Sequence, residues 1–98
     1  MIDFVQTEEF AKWLKRLKDI NARARINVRL TRIALTGNLG DTKPVGDGVY
    51  ELRIDYGPGY RVYYSQRGRE ILLLLIGGDK SSQQKDIEKA KKINAEYE

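Results

Sequence analysis

The run Ile71-Leu72-Leu73-Leu74-Leu75-Ile76 constrains the fold more than any other segment of this chain. Six apolar side chains in a row lack the two-residue alternation of a half-exposed strand, so both of its faces should be buried, as in a central strand of a sheet. Turn residues bound it: Gln66-Arg67-Gly68-Arg69 on one side and Gly77-Gly78, read as its end, on the other. The run is far short of the roughly 20 residues that a bilayer-spanning helix needs.

Upstream, Val49 to Tyr64 alternates charged and apolar residues around Gly57-Pro58-Gly59 and predicts a β-hairpin. Tyr50, Leu52 and Ile54 fall on one face of the first strand; Glu51, Arg53 and Asp55 fall on the other. In the second strand Tyr60, Val62 and Tyr64 share the apolar face, while Arg61 and Tyr63 share the opposite one. With the apolar face buried, Arg53, Arg61 and Tyr63 would stand together on a solvated surface. Two guanidinium groups beside a phenol suit a phosphate-bearing ligand, because each guanidinium forks onto phosphate oxygens.

Ile2 to Val5 is a short strand by its pattern, and Thr7 can cap a helix with Glu8 and Glu9 in its first turn. Phe10, Trp13, Leu14 and Leu17 recur at helical spacing, which assigns Trp13 to the core. Asp19 to Asn21 interrupt that stripe and can cap a second helix running to about Leu35, with Ile26, Leu30, Ile33 and Ala34 inward and Gly37 as its stop. Arg25, Arg29 and Arg32 lie on one side of it at i, i+4 and i+7. Asn38 to Gly48 reads as a loop with room for a short extended piece. Ser81 or Ser82 caps a last helix, whose stripe is Ile87, Ala90, Ile93 or Asn94, and Tyr97. The expected whole is a single α+β domain over residues 1–98: an N-terminal strand and helical hairpin packed on a small, mainly antiparallel sheet, with a C-terminal helix.

Absent residue types narrow the chemistry. Without cysteine there is no disulfide or thiolate metal site, and the start Met1-Ile2-Asp3-Phe4-Val5 does not read as a secretion signal, so the cytoplasm is expected. Without histidine, triad hydrolases, two-histidine ribonucleases and histidine-ligated metals are excluded. No metal or cofactor is expected. The net charge of +4 lies in the first third, where eight basic residues face four acidic ones through Thr36; the remainder carries ten of each. Such an excess suits nucleic acid or an acidic protein.

The element order, together with Tyr50-Glu51-Leu52-Arg53, Gly59-Tyr60-Arg61-Val62-Tyr63-Tyr64 and Leu74-Leu75-Ile76-Gly77-Gly78-Asp79-Lys80-Ser81-Ser82-Gln83, resembles the RelE/ParE toxin superfamily over nearly the whole chain. The HigB-like branch of addiction-module killer proteins is the nearest match. This resemblance implies a RelE-like fold and a cytoplasmic toxin neutralised by a cognate antitoxin, a helix-turn-helix protein through which alone operator DNA is reached. It implies ribosome-dependent cleavage of mRNA, with no membrane partner. The alternatives are a ParE-like inhibitor of DNA gyrase and a non-toxic binding module of the same fold. Arg61 matches the central arginine among the phosphate-contacting residues of RelE-type toxins, Arg53 matches a strand lysine, and Lys80 falls near a second functional arginine. Two positions depart from the pattern: Glu51 stands where the best-known member has lysine, and Asp86 where it has a functional tyrosine.

The expected catalytic set is Arg61, Arg53 and Lys80, which the resemblance implies, joined by Glu51 and Tyr63 as candidates on chemical grounds; Arg25, Arg29, Arg32 and Lys80 are the expected RNA-binding residues. Arg53 and Arg61 would neutralise the phosphorane formed when an RNA 2′-hydroxyl attacks the adjacent phosphorus. Arginine, with a pKa above about 12, cannot be the base. That leaves Glu51 or a Lys80 of lowered pKa, with Tyr63 to orient the nucleophile or stack on a base. The reading requires Arg53 and Arg61 on one side of the molecule, and neither buried.

Overall fold

The computed structural model describes residues 1–97, in the order β1 (Asp3–Gln6), α1 (Glu8–Arg16), α2 (Ile20–Thr36), β2 (Thr42–Gly46), β3 (Val49–Ile54), β4 (Tyr60–Gly68), β5 (Ile71–Asp79) and α3 (Gln83–Glu96). The strands form one sheet of order β1-β5-β4-β3-β2, parallel between β1 and β5 and antiparallel elsewhere. Helices cover both faces of β5, which is why its apolar run shows no alternation. Leu72 and Leu74 pack with Phe10 of α1 and Ile26 and Ile33 of α2. Leu73 and Leu75 pack with Ala90 and Ile93 of α3. None of the described helices is long and apolar enough to cross a membrane.

Local chemistry accounts for most element ends. The Thr7 hydroxyl accepts from Phe10 N at 2.9 Å and donates to Leu75 O at 2.7 Å, so it caps α1 and fastens it to β5. Asp19 accepts from the amides of Asn21 and Ala22 and starts α2, which ends at Gly37 with φ 73°.

One expectation is made specific and two are corrected. The extended piece of the loop before β3 is a strand, β2, joined to β3 by Asp47-Gly48. Both turn residues have positive φ, 56° and 77°, the geometry that Asp-Gly supplies in a tight hairpin. β2 is an edge strand, so Pro44 within it removes no hydrogen bond that the sheet needs. Gly77-Gly78 does not end β5: the pairing runs on through Val62↔Gly77 and Arg61↔Gly78 to Tyr60↔Asp79. These glycines are there for space, since a side chain on Gly77 would strike the Trp13 ring and one on Gly78 would strike Asp86. Neither Ser81 nor Ser82 caps α3 with its side chain. Asp79 instead accepts from Ser81 N and opens a 3-10 turn over Lys80–Ser82, while the Ser82 hydroxyl donates to Asp86.

Candidate anion-binding cleft

β3 and β4 pair so that Arg53 lies directly across from Arg61, and Glu51 across from Tyr63. The strand period puts all four side chains on the sheet face that α3 covers. Both arginines therefore share one side of the molecule, but that face is not solvated. Tyr63 is fully buried, Glu51 is 0% exposed and Arg61 8%, whereas the Arg53 side chain remains 40% exposed. The expected open surface is thus corrected, and the requirement that neither arginine be buried is not met: α3 lies over this face, buries Arg61 but for an edge, and leaves Arg53 accessible.

Glu51 is the centre of the cluster. Its Oε2 accepts from Gln83 Nε2 at 2.7 Å and from the Tyr63 hydroxyl at 3.4 Å. Arg53 Nε lies 3.8 Å from Oε1, and Arg61 Nε lies 3.9 Å from Oε2. Those two separations are charge contacts beyond hydrogen-bond range. Glu51 Oε1, Arg53 Nε and Arg61 Nε are accordingly buried without a hydrogen-bond partner. A buried polar atom left so costs about 1–3 kcal/mol, so the fold holds this cluster against its local preference.

Toward solvent, Asp41 Oδ1 lies 3.4 Å from Arg53 Nε, and Arg61 Nη1 donates to Gly59 O at 2.6 Å. A cleft of about 190 Å³ opens here, lined by Asp41, Arg53, Asp55, Gly59, Tyr60 and Arg61. Gly59 has φ +81°, and a Cβ on it would meet Arg61 Nη1 at 2.8 Å and Lys80 Cβ at 3.7 Å. The exposed Lys80 thus stands beside Arg61 at the rim. Burial, and after it the Glu51 charge, push the Tyr63 phenol far above its ordinary range, so it stays protonated and can donate to Glu51. Asp79 is held below the usual carboxylate range, chiefly by the hydrogen bond from the Ser81 hydroxyl and to a lesser extent by Arg61.

Arg53 and Arg61 are therefore brought together, with the base of the Lys80 side chain near Gly59 but outside the lining of the cleft, while two other members of the predicted catalytic set are placed out of reach. Glu51 has no surface from which to take a proton from an RNA hydroxyl, and the Tyr63 ring, packed under α3, cannot stack on a base. Three of the four α2 arginines, Arg25, Arg29 and Arg32, line one groove, and the first two are already engaged. Arg29 donates to the carbonyl oxygens of Arg53 at 2.8 Å and Leu39 at 2.9 Å, which clamps α2 to the strand ends that carry the cleft. Arg25 lies 4.4 Å over the Tyr56 ring, and Arg32 is exposed. The sequence reading missed Asp41 and Gln83. Asp41 was findable, since recognising the Asp47-Gly48 hairpin would have carried β2 back to Thr42, beside it. Gln83 meets Glu51 across 32 residues and leaves no local signal.

In chemical terms the cleft sets Arg53 and the edge of Arg61 against two carboxylates, Asp41 and Asp55, so a tetrahedral anion would have to displace Asp41 from Arg53 to be held there. Residues 12–98 match the family described as Phage derived protein Gp49-like (DUF891). A relative from Haemophilus influenzae, itself described as an uncharacterized protein, is 48% identical over 95 residues, which span 97% of this chain and 95% of that one. Among solved structures, the chain is similar to a free Escherichia coli toxin RelE bearing two arginine-to-alanine substitutions, with TM-score 0.73 at 14% identity, covering 95% of this chain and 96% of that one. It is also similar to a chain of the intact E. coli RelBE toxin-antitoxin complex, with TM-score 0.66 at 16% identity over 81% of this chain and 96% of the other. At these identities the likeness establishes a RelE-like fold.

Proposed function

We propose, from the premise that this chain belongs to the phage-derived Gp49-like family, that it is the toxin of a toxin-antitoxin pair and cleaves mRNA on the ribosome. In this reading it is a single-domain, HigB-like toxin of the cytoplasm. Its antitoxin is a helix-turn-helix protein that contacts the operator on behalf of both chains. The observation that carries the reading is the Arg53↔Arg61 register pair on a RelE-like sheet, with Lys80 at the same rim.

The accessible Arg53 would hold the scissile phosphate, with the largely buried Arg61 adding positive charge behind it, and so stabilise the phosphorane as the 2′-hydroxyl oxygen attacks phosphorus and the 5′-oxygen leaves. Of the two predicted bases Glu51 is buried and only Lys80 reaches solvent; as an ammonium donor it would protonate the leaving 5′-oxygen, while the 2′-hydroxyl proton passes to water. The ribosome supplies the in-line geometry that a site without histidine cannot impose by itself. The near-complete burial of Arg61 favours one competing reading, in which the cluster is structural and the chain acts on gyrase without cutting RNA.

Primer extension on messages from cells expressing the chain separates the two. Codon-phased cuts that fall about 10²-fold in Arg53→Ala, with circular dichroism checking that this variant is folded, and that weaken in Arg61→Lys, are the expected result. Intact message with arrested replication would transfer the protein to the gyrase reading. Normal growth would make it a non-toxic binding module.

A further inference from the structure

We propose that the outer face of α2 docks an amphipathic helix with acidic flanks contributed by a partner protein. Ile20, Val28 and Leu35 are 70%, 57% and 67% exposed, respectively. At about 100° per residue, these three and Ala24 fall within an arc of about 80°, opposite the inward set Ala22, Ile26 and Ile33. A helix with one buried stripe ordinarily turns a polar face to water, so a second stripe about 22 Å long, apolar but for Thr31, points to a partner.

Charge selects the partner's chemistry. α2 contains four arginines and no acidic residue. Along one side of the stripe runs a groove of about 310 Å³, whose walls include Ala24, Val28 and the exposed Arg25 and Arg32. A second copy of this chain would set the same arginines against these. An RNA strand would use the arginines and leave Ile20, Val28 and Leu35 uncovered, and α2 has no aromatic residue on which a base could stack. A helix with an aliphatic seam and Glu or Asp beside it satisfies both features. The groove shares Ile54 and Asp55 with the Arg53–Arg61 cleft, so its occupant would end at the mouth of that cleft. Identifying the occupant as the antitoxin rests on the function proposed above; the docking chemistry does not.

The test uses fluorescence anisotropy with a labelled alanine-based helix of about 18 residues, long enough for the stripe, bearing leucines along one seam and glutamates on its flanks. A twin with lysine flanks and a short oligouridine serve as comparisons. The glutamate peptide should bind, weaken about tenfold in Val28→Asp and again in the Arg25→Glu/Arg32→Glu pair, and outcompete the lysine twin. Equal binding of the two peptides, indifference to both variants, or oligouridine as the sole ligand lost in the arginine pair would overturn the proposal. So would a self-dimer dissociated by Val28→Asp in sedimentation. Growth on induction is scored separately: peptide binding without arrest keeps this surface and removes the toxin identity, and arrest without peptide binding does the reverse.

Discussion

Two guanidinium groups approach Glu51 from neighbouring strands, and neither completes a hydrogen bond to it. The carboxylate thus offsets their charge without saturating their donors, which leaves the outer edges available to a ligand. Substituting Glu51→Gln keeps the shape and the contacts from Gln83 and Tyr63 while removing the buried negative charge. The variant should lose about 1–3 kcal/mol in urea denaturation at low salt, because two cations lose their counter-charge. It should recover more of that stability on adding inorganic phosphate than the wild type gains. Identical phosphate responses would mean that the cleft does not bind anions through these arginines. Thr7 is a second residue with two duties, and Thr7→Ala strips α1 of its cap and leaves the Leu75 carbonyl without its partner. About 1–2 kcal/mol should be lost, read as a lowered denaturation midpoint with unchanged slope.

At the scale of elements, β5 and α2 tolerate glycine replacement for different reasons and to different degrees. Gly77 lies beneath the Trp13 ring, so Gly77→Ala must push α1 off the sheet and should cost about 1–3 kcal/mol or more. Gly37 has open space around it and only its φ of 73° to defend, so Gly37→Ala should cost about 1–2 kcal/mol from backbone strain alone. Circular dichroism at rising urea separates the two, and the near-ultraviolet signal of Trp13 should change only in the first. Runs of one period were legible at this scale: the stripe Phe10, Trp13, Leu14 gave α1, and the unalternated Ile71–Ile76 run placed β5 inside the sheet. β2 was not legible as a strand, since Thr42-Lys43-Pro44-Val45-Gly46 is short and edge-like, and its signal resides in the Asp-Gly turn that follows.

For the whole molecule, burial of β4 sets an alkaline limit. Desolvation raises the Tyr60, Tyr63 and Tyr64 phenols above the ordinary value of 10.0. Above that pH the unfolded chain releases these protons while the folded one keeps them, so the unfolded state binds fewer protons and stability falls as pH rises. Urea midpoints should hold level below pH 10 and decline beyond it, with phenolate absorbance from these three side chains appearing together with unfolding. Early, independent ionisation of all three would contradict their burial. The same burial marks the boundary of what residue order carried. Period, caps and turn residues specified which side chains share a face, because those are relations among near neighbours: Arg53 and Arg61 were assigned to one side on alternation alone, and the register agrees. Which face meets water was settled by a helix some twenty residues further along the chain. α3 comes down over β3 and β4, turns the charged side of the hairpin into a covered cluster, and hides Glu51 and most of Arg61. Alternation states that two faces differ; only packing between distant segments determines what lies on each.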